Sequence, residues 1–242
     1  VAGITTTSSG MVTTGAHQTT FGGGSDAYLV KFTTNGSRQW ATYFGGSGNE
    51  SGLTSYDDYM VGVTWDKSTN SVYLCGMTTS TNNISTTGAH QTTIGGSNDG
   101  YLAKFSPAGV LQWATYYGGA NDDKMVKVSA DASGNIYATG ITNSTSDIAT
   151  SGTHQQSLAG GKDVFITKFN TSGTRLWGTY YGGADDDGSI GIATDISNDV
   201  YIAGSTFSPS GISTSGAFQP ALANLGPSDA YLAKFSPTGT LI

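Results

Sequence analysis

Charge is scarce in this chain: Asp, Glu, Lys and Arg make up 11% of its 242 residues, against roughly 25% in an average soluble domain. The ten Lys and Arg are scattered and outnumbered by 17 Asp and Glu, giving a formal net charge of −7. Nucleic acids and anionic membranes require a clustered positive field, so neither is an expected partner. Cysteine is nearly absent. With Cys75 alone, no disulfide framework and no cysteine-based metal site can form. No apolar run approaches the ~20 residues of a membrane helix, so no membrane insertion is expected. The opening VAGITTTSSG has neither the basic region nor the apolar stretch of a signal peptide, and any targeting segment is expected outside this chain. No segment sustains a 3.6-residue apolar period, so essentially no helix is expected.

What the chain has instead is glycine, 36 of 242 residues, with abundant Ser, Thr and Asn, a composition suited to turns between short strands. Aromatics at 11% are too many for disorder, because disordered chains have little apolar surface to bury. All-β folds often reach 200–250 residues without dividing, so one domain over residues 1–242 is expected.

The tract GAHQTTFGGGSDAYLVKF at Gly15 returns as GAHQTTIGGSNDGYLAKF at Gly88, then more loosely as GTHQQSLAGGKDVFITKF at Gly152 and GAFQPALANLGPSDAYLAKF at Gly216. Its aspartates, Asp26, Asp99, Asp163 and Asp229, are spaced 73, 64 and 66 apart. Trp40, Trp113 and Trp177 repeat the first two intervals, as do Gly45, Gly118 and Gly182. Three markers agree on one unit of about 65 residues, with units over 1–46, 47–119, 120–183 and 184–242. Each holds four segments with strand chemistry. In the third they are A, Met125 to Asp131; B, Asn135 to Thr142; C, Asp163 to Phe169; and D, Arg175 to Tyr181. ASG joins A to B and NTSG joins C to D, both hairpin turns.

A four-stranded meander at a fixed period is a propeller blade, since radial repetition buries both faces of each small sheet. The expected fold is therefore all-β: a beta-propeller of four-stranded antiparallel blades, about four represented and two incomplete, forming part of a larger propeller. Strand A fits the crowded centre, with Thr64, Ser129 and Ala193 two places before its closing Asp. A solenoid is the rival, but its coils usually run 20–45 residues with fewer strands.

The blade pattern resembles the bacterial SBBP beta-propeller repeat family, in WATYFGG at Trp40, WATYYGG at Trp113, WGTYYGG at Trp177, DASGNIYATGIT at Asp131 and DISNDVYIAGST at Asp195. The resemblance implies a propeller, often of seven blades, on large secreted or surface proteins, commonly from Bacteroidetes-like bacteria, with no known active site. The first step departs from the pattern: Gly46 to Tyr73 spans 27 residues, whereas Gly119 to Tyr137 and Gly183 to Tyr201 span 18. Eight of the nine extra residues fall around SGLTSYDDY. VAGIT aligns inside a B strand and GTLI with the start of a D strand, so the chain is expected to be a piece of a longer one.

His17, His90 and His154 hold equivalent positions on different blades, and Phe218 takes the fourth. A site that accepts His or Phe points to a packing ring rather than metal chemistry. Asp122 and Asp123, Asp185 to Asp187, and Glu50 with Asp57 and Asp58 follow the GG pairs. They are candidate Ca²⁺ ligands, but Ca²⁺ takes six to eight oxygens, and turn capping by Asp is the favoured reading. No cofactor is expected. Lys31, Lys104, Lys168 and Lys234 are expected to pair with Asp26 or its equivalents. Cys75 aligns with Ala2, Thr139 and Ala203 and is expected to be buried and inert. Trp40, Trp113 and Trp177 supply bulk at the blade edge, with sugar stacking as the alternative.

The A–B and C–D hairpins of a meander share one face of the disc, and the long B–C and D–A connections share the other, which is where binding is expected. The expected function is a non-catalytic extracellular or cell-surface module, bacterial in origin, for adhesion, display or filament structure. Its expected partners are a cell-surface protein or glycan, or neighbouring copies. A lectin-like propeller is the alternative and a polysaccharide hydrolase or lyase the second. Repetition itself argues against catalysis, because a catalyst needs one asymmetric site.

Overall fold

The computed structural model describes residues 1–51, 61–223 and 228–242. Among them there is no helix, and fourteen strands form four antiparallel sheets. Blade 1 comprises β1 (Ala2–Thr5), β2 (Asp26–Phe32) and β3 (Arg38–Phe44); blade 2 comprises β4 (Gly62–Asp66), β5 (Ser71–Thr78), β6 (Asp99–Phe105) and β7 (Leu111–Tyr117). Blade 3 comprises β8 (Asp123–Ala130), β9 (Ile136–Thr142), β10 (Asp163–Phe169) and β11 (Arg175–Tyr181); blade 4 comprises β12 (Asp187–Thr194), β13 (Val200–Thr206) and β14 (Asp229–Phe235). Each sheet is a meander in chain order. The bridge from Phe235 to Leu241 is the start of a D strand in blade 4.

Strands C and D of blade 3 fall where the sequence puts them, but A and B shift. Strand A begins at Asp123 rather than Met125, because Asp123 already pairs with Thr142, and a bulge between Met125 and Lys127 absorbs an extra residue. Asp131 leaves the strand to make the turn: its Oδ1 accepts the N–H groups of Ser133 and Asn135 at 2.9 and 2.8 Å.

The core lies between blades rather than within them. The inner strand β8 touches β4, β5 and β6 of blade 2 and β12 of blade 4, and the Ser129 and Thr194 hydroxyls meet at 3.3 Å. The C strands β6 and β10 are buried at every position, whereas β14 in blade 4 alternates and exposes Leu232. That difference is the mark of a sheet covered on two faces against one covered on one face. Aromatics bridge each junction: Phe44 to Tyr101 at 5.2 Å, Tyr117 to Phe165 at 4.9 Å and Tyr181 to Tyr231 at 5.3 Å between ring centroids. The glycine of the B-strand G-x-T motif makes room for these rings. A Cβ on Gly76 would lie 2.7 Å from the Tyr101 hydroxyl oxygen, and one on Gly204 would lie 2.7 Å from that of Tyr231.

Candidate functional site

At the short-hairpin end, one carbonyl of each C–D turn receives two donors from the preceding blade. Pro107 O accepts Trp40 Nε1–H at 3.0 Å and Lys31 Nζ at 3.2 Å. Thr171 O accepts Trp113 and Lys104, each at 3.0 Å, and Pro237 O accepts Trp177 at 2.9 Å and Lys168 at 3.2 Å. The indoles lie against the turn glycines Gly109, Gly173 and Gly239, where φ is +80° to +83° and a Cβ would approach the ring to 2.7–3.1 Å. Tyr73 and Tyr137 stand edge-on to Trp113 and Trp177. These tryptophans are therefore interblade clamps, and their N–H groups and the glycine-facing side of each ring are already committed.

The expected pairing of Lys31, Lys104 and Lys168 with Asp26 and its equivalents does not occur. Asp and Lys occupy opposite ends of one strand, about 16 Å apart at ~3.3 Å per residue. Two of them instead lie over B-strand tyrosines, Lys104 over Tyr73 at 5.5 Å and Lys168 over Tyr137 at 4.8 Å. Lys234 pairs with Asp199 at 2.8 Å and Asp195 at 3.8 Å.

The histidines cross the same junctions higher up. His17 packs on Phe44 and Phe105, His90 on Tyr117 and Phe169, and His154 on Tyr181 and Phe235, at 5.8–6.3 Å. Phe218, in the fourth copy, is fully exposed. Burial lowers all three histidine pKa values and, with the Arg175 guanidinium, pushes His90 down to about 4. A pKa lowered in the fold means that the unfolded chain takes up the proton first, so stability falls as pH drops from 6.5 toward 4. His90→Phe is expected to keep the packing and to flatten that loss, seen as a smaller fall in melting temperature between those pH values than in the parent. An unchanged acid slope would contradict it.

At the long-loop end, the residue that matters in AHQ is the glutamine. Gln18, Gln91 and Gln155 each donate from Nε2 to Asp26, Asp99 and Asp163 at 2.7–2.9 Å, and each accepts at Oε1 the N–H of Gly45, Gly118 or Gly182 at 3.0–3.1 Å. The same aspartate Oδ2 accepts a loop N–H from Gly22, Gly95 or Ala159 at 2.9 Å. Gln219 and Asp229 repeat the bond in blade 4. One amide thus ties the B–C loop to strand C and to the glycine pair ending strand D. The glutamine's recurrence beside each His or Phe was the available signal.

The acidic runs divide at the strand start. Asp123 and Asp187 are buried, and Oδ2 of each accepts a glycine N–H at 2.7 Å and a serine hydroxyl, Ser144 at 2.7 Å or Ser208 at 2.9 Å. Glu50, likewise four residues beyond its glycine pair, takes Thr78 and Ser80 hydroxyls at 2.8 and 2.6 Å. Asp122, Asp185 and Asp186 are exposed in shallow clefts on the long-loop face. Among the described residues, no three acidic, His or Cys side chains converge as a metal set. Asp57 and Asp58 lie outside the described residues. Cys75 is fully buried, which pushes its thiol up to about 12. A groove of about 470 Å³ on the open side of blade 4 is lined by Tyr201, Phe218, Pro220, Leu232 and Leu241.

The family model of the SBBP beta-propeller repeat matches residues 112–147, the stretch from strand D of blade 2 through strands A and B of blade 3. No curated protein matches the chain.

Proposed function

We propose that this SBBP beta-propeller repeat chain is a non-catalytic extracellular module for adhesion or surface display, engaging a cell-surface protein or glycan, or neighbouring copies, through its long-loop face. The observation that carries the reading is the fate of the recurring polar residues. Trp, Lys, Gln and the strand-opening Asp are consumed in joining blades and anchoring loops. That leaves loops held rigidly at their bases, with exposed Ser, Thr and Asn along them and exposed Asp122, Asp185 and Asp186 beside them. A rigid scaffold presenting polar loops suits recognition. The Gln–Asp–Gly network recurs in successive blades, which suits repeated binding better than a single catalytic centre.

The test presents the chain, immobilised on beads, to glycan arrays, bacterial surface preparations and free copies of itself. Retention is expected on one of these, reduced about tenfold, or roughly 1.4 kcal/mol, when Asp122, Asp185 and Asp186 are all changed to Asn. Turnover of a polysaccharide that disappears in Asp122→Asn would replace this reading with the hydrolase or lyase. Glycan retention unaffected by the three changes would move the binding surface elsewhere.

A further inference from the structure

The junction between blades 1 and 2 buries two facing carboxyl groups that no Lys or Arg among the described residues neutralises. Asp26 and Glu50 are 0% and 1% exposed. Asp26 Oδ2 is filled by Gln18 and Gly22, and Glu50 Oε1 by Thr78 and Ser80. Asp26 Oδ1 and Glu50 Oε2 are left, both buried and neither with a partner at good hydrogen-bond geometry, although the Gly23 and Gly46 N–H groups lie near the two carboxyls. They face one point: a Cβ on Gly45 would strike Glu50 Oε2 and lie 2.8 Å from Asp26 Oδ1. Among the described residues no Lys or Arg forms an ion pair with either group. Two bare anionic oxygens at close range in a dry site cannot both stay charged without a positive partner.

A metal ion is the poorer partner. Two free oxygens fall far short of the six to eight that Ca²⁺ takes, and the other oxygen of each group is already filled by N–H or O–H donors. A single proton satisfies both oxygens at once, turning two acceptors into one donor and one acceptor, and the two side chains close on the same point beside Gly45.

We propose that Asp26 and Glu50 share one proton, and that the resulting carboxyl–carboxylate bond is a pH-operated latch between blade 1 and blade 2. Asp26 fastens the B–C loop of blade 1, and Glu50 holds Thr78 and Ser80 at the end of strand B in blade 2. The later junctions hold a related pair of carboxyl groups, Asp99 with Asp123 and Asp163 with Asp187, beside Gly118 and Gly182. The later blades place Asp123 and Asp187 where Glu50 stands, one methylene shorter. Asp123 Oδ1 and Asp187 Oδ1 are also without a partner, but Asp99 and Asp163 receive an Oδ1 donor at 3.2 Å from Gly96 and Gly160, a contact that falls short of a hydrogen bond at Asp26.

Burial raises Asp26 and pushes Glu50 up to about 7. A carboxyl pKa raised in the fold means that the folded state holds its proton longer than the unfolded one. The stabilisation is therefore complete below the unfolded value of 4.5 and is lost as pH rises through about 7. The titratable groups facing the pair are Tyr43 on β3, Tyr101 on β6 and Tyr116 on β7, all raised by burial and silent in this window. His17, beside Gln18, is lowered and acts in the opposite sense, so the readout must be local and referred to a variant.

Hydrogen exchange, corrected for intrinsic rates, would be followed at Gly22 to Asp26, Gly45 to Glu50 and Thr78 to Ser80 between about pH 5 and about pH 8, a range bracketing the pair's transition. The parent chain is expected to lose protection there about tenfold, the factor that one unit of differential pKa carries. Glu50→Gln, whose amide donates to Asp26 at every pH, is expected to stay flat. Infrared spectra of the parent should show a protonated-carboxyl band that titrates near about 7, and this arm holds even if the variant fails to fold. Equal pH dependence in both proteins, a missing band, or protection that follows added Ca²⁺ and its chelation instead of pH would each overturn the latch.

Discussion

Truncating Trp177 to alanine is expected to destabilise the chain by about 3–5 kcal/mol, the range for removing a large buried aromatic side chain, and to let blade 4 unfold ahead of the rest. The indole is 7% exposed, stands 6.0 Å from Tyr137 within its own blade, covers Gly239 of the next and donates to Pro237 O at 2.9 Å. In a repeat architecture, stability is approximately a sum of blade terms and nearest-neighbour interface terms, so a side chain that belongs to the interface weakens the coupling as well as the total. Urea unfolding followed by fluorescence and circular dichroism should separate into two transitions in Trp177→Ala. Trp177→Phe keeps most of the ring and loses the N–H, which should cost about 1–2 kcal/mol for a hydrogen bond and some packing and retain one transition. A single transition shifted by under about 1 kcal/mol in the alanine variant, well below the cost of removing a buried aromatic, would show that the clamp is not what couples the blades.

The blade pattern was legible because each junction rewrites the same contacts. Asp26, Asp99 and Asp163 recur because each fastens a loop, and Trp40, Trp113 and Trp177 recur because each reaches the next turn. The exchange of His for Phe218 exposed a packing role in the sequence itself, and the inner copies do stack ring on ring.

What was not legible depends on direction and on where pairing begins. Lys31 and Asp26 look like an ion pair in one dimension, yet strand geometry separates them by about 16 Å. The true partner of Lys31 is a carbonyl 76 residues away in another blade. Asp122 and Asp123 read as one acidic patch until Asp123 pairs with Thr142 and is drawn inside, leaving Asp122 on the surface. A bulge between Met125 and Lys127 moves the start of strand A, and no residue type there announces it. The glutamines were overshadowed by the histidines beside them, because a ring at a repeated position suggests chemistry more readily than an amide does.

Removing the Asp163 carboxylate is expected to cost about 2–4 kcal/mol, because three partly buried donors lose a charged acceptor at once. Asp163 is fully buried and accepts Gln155 Nε2–H at 2.8 Å, Ala159 N–H at 2.9 Å and Gly160 N–H at 3.2 Å. In Asp163→Ala all three of these bonds disappear, and because the donors are only partly buried each loss is worth about 0.5–1.5 kcal/mol. Asp163→Asn is the informative control. Its carbonyl, placed where Oδ2 stands, can still accept Gln155 Nε2–H and Ala159 N–H, but its amide then meets Gly160 N–H, donor against donor. Turning the asparagine over would free Gly160 and set the amide against Ala159 N–H and Gln155 Nε2–H instead, so the asparagine cannot be silent. Burial also raises the Asp163 pKa, and a neutral amide escapes that cost, which holds the asparagine variant to an intermediate loss of about 1–2 kcal/mol. The ordering expected in urea titrations is therefore parent, asparagine, alanine. Hydrogen exchange should rise at Gly160 in both variants and at Ala159 in the alanine variant, while amides of the blade 1 network remain protected. Equal stability for alanine and asparagine, or exchange rising uniformly across all blades, would mean that the carboxylate is not the anchor of its own loop.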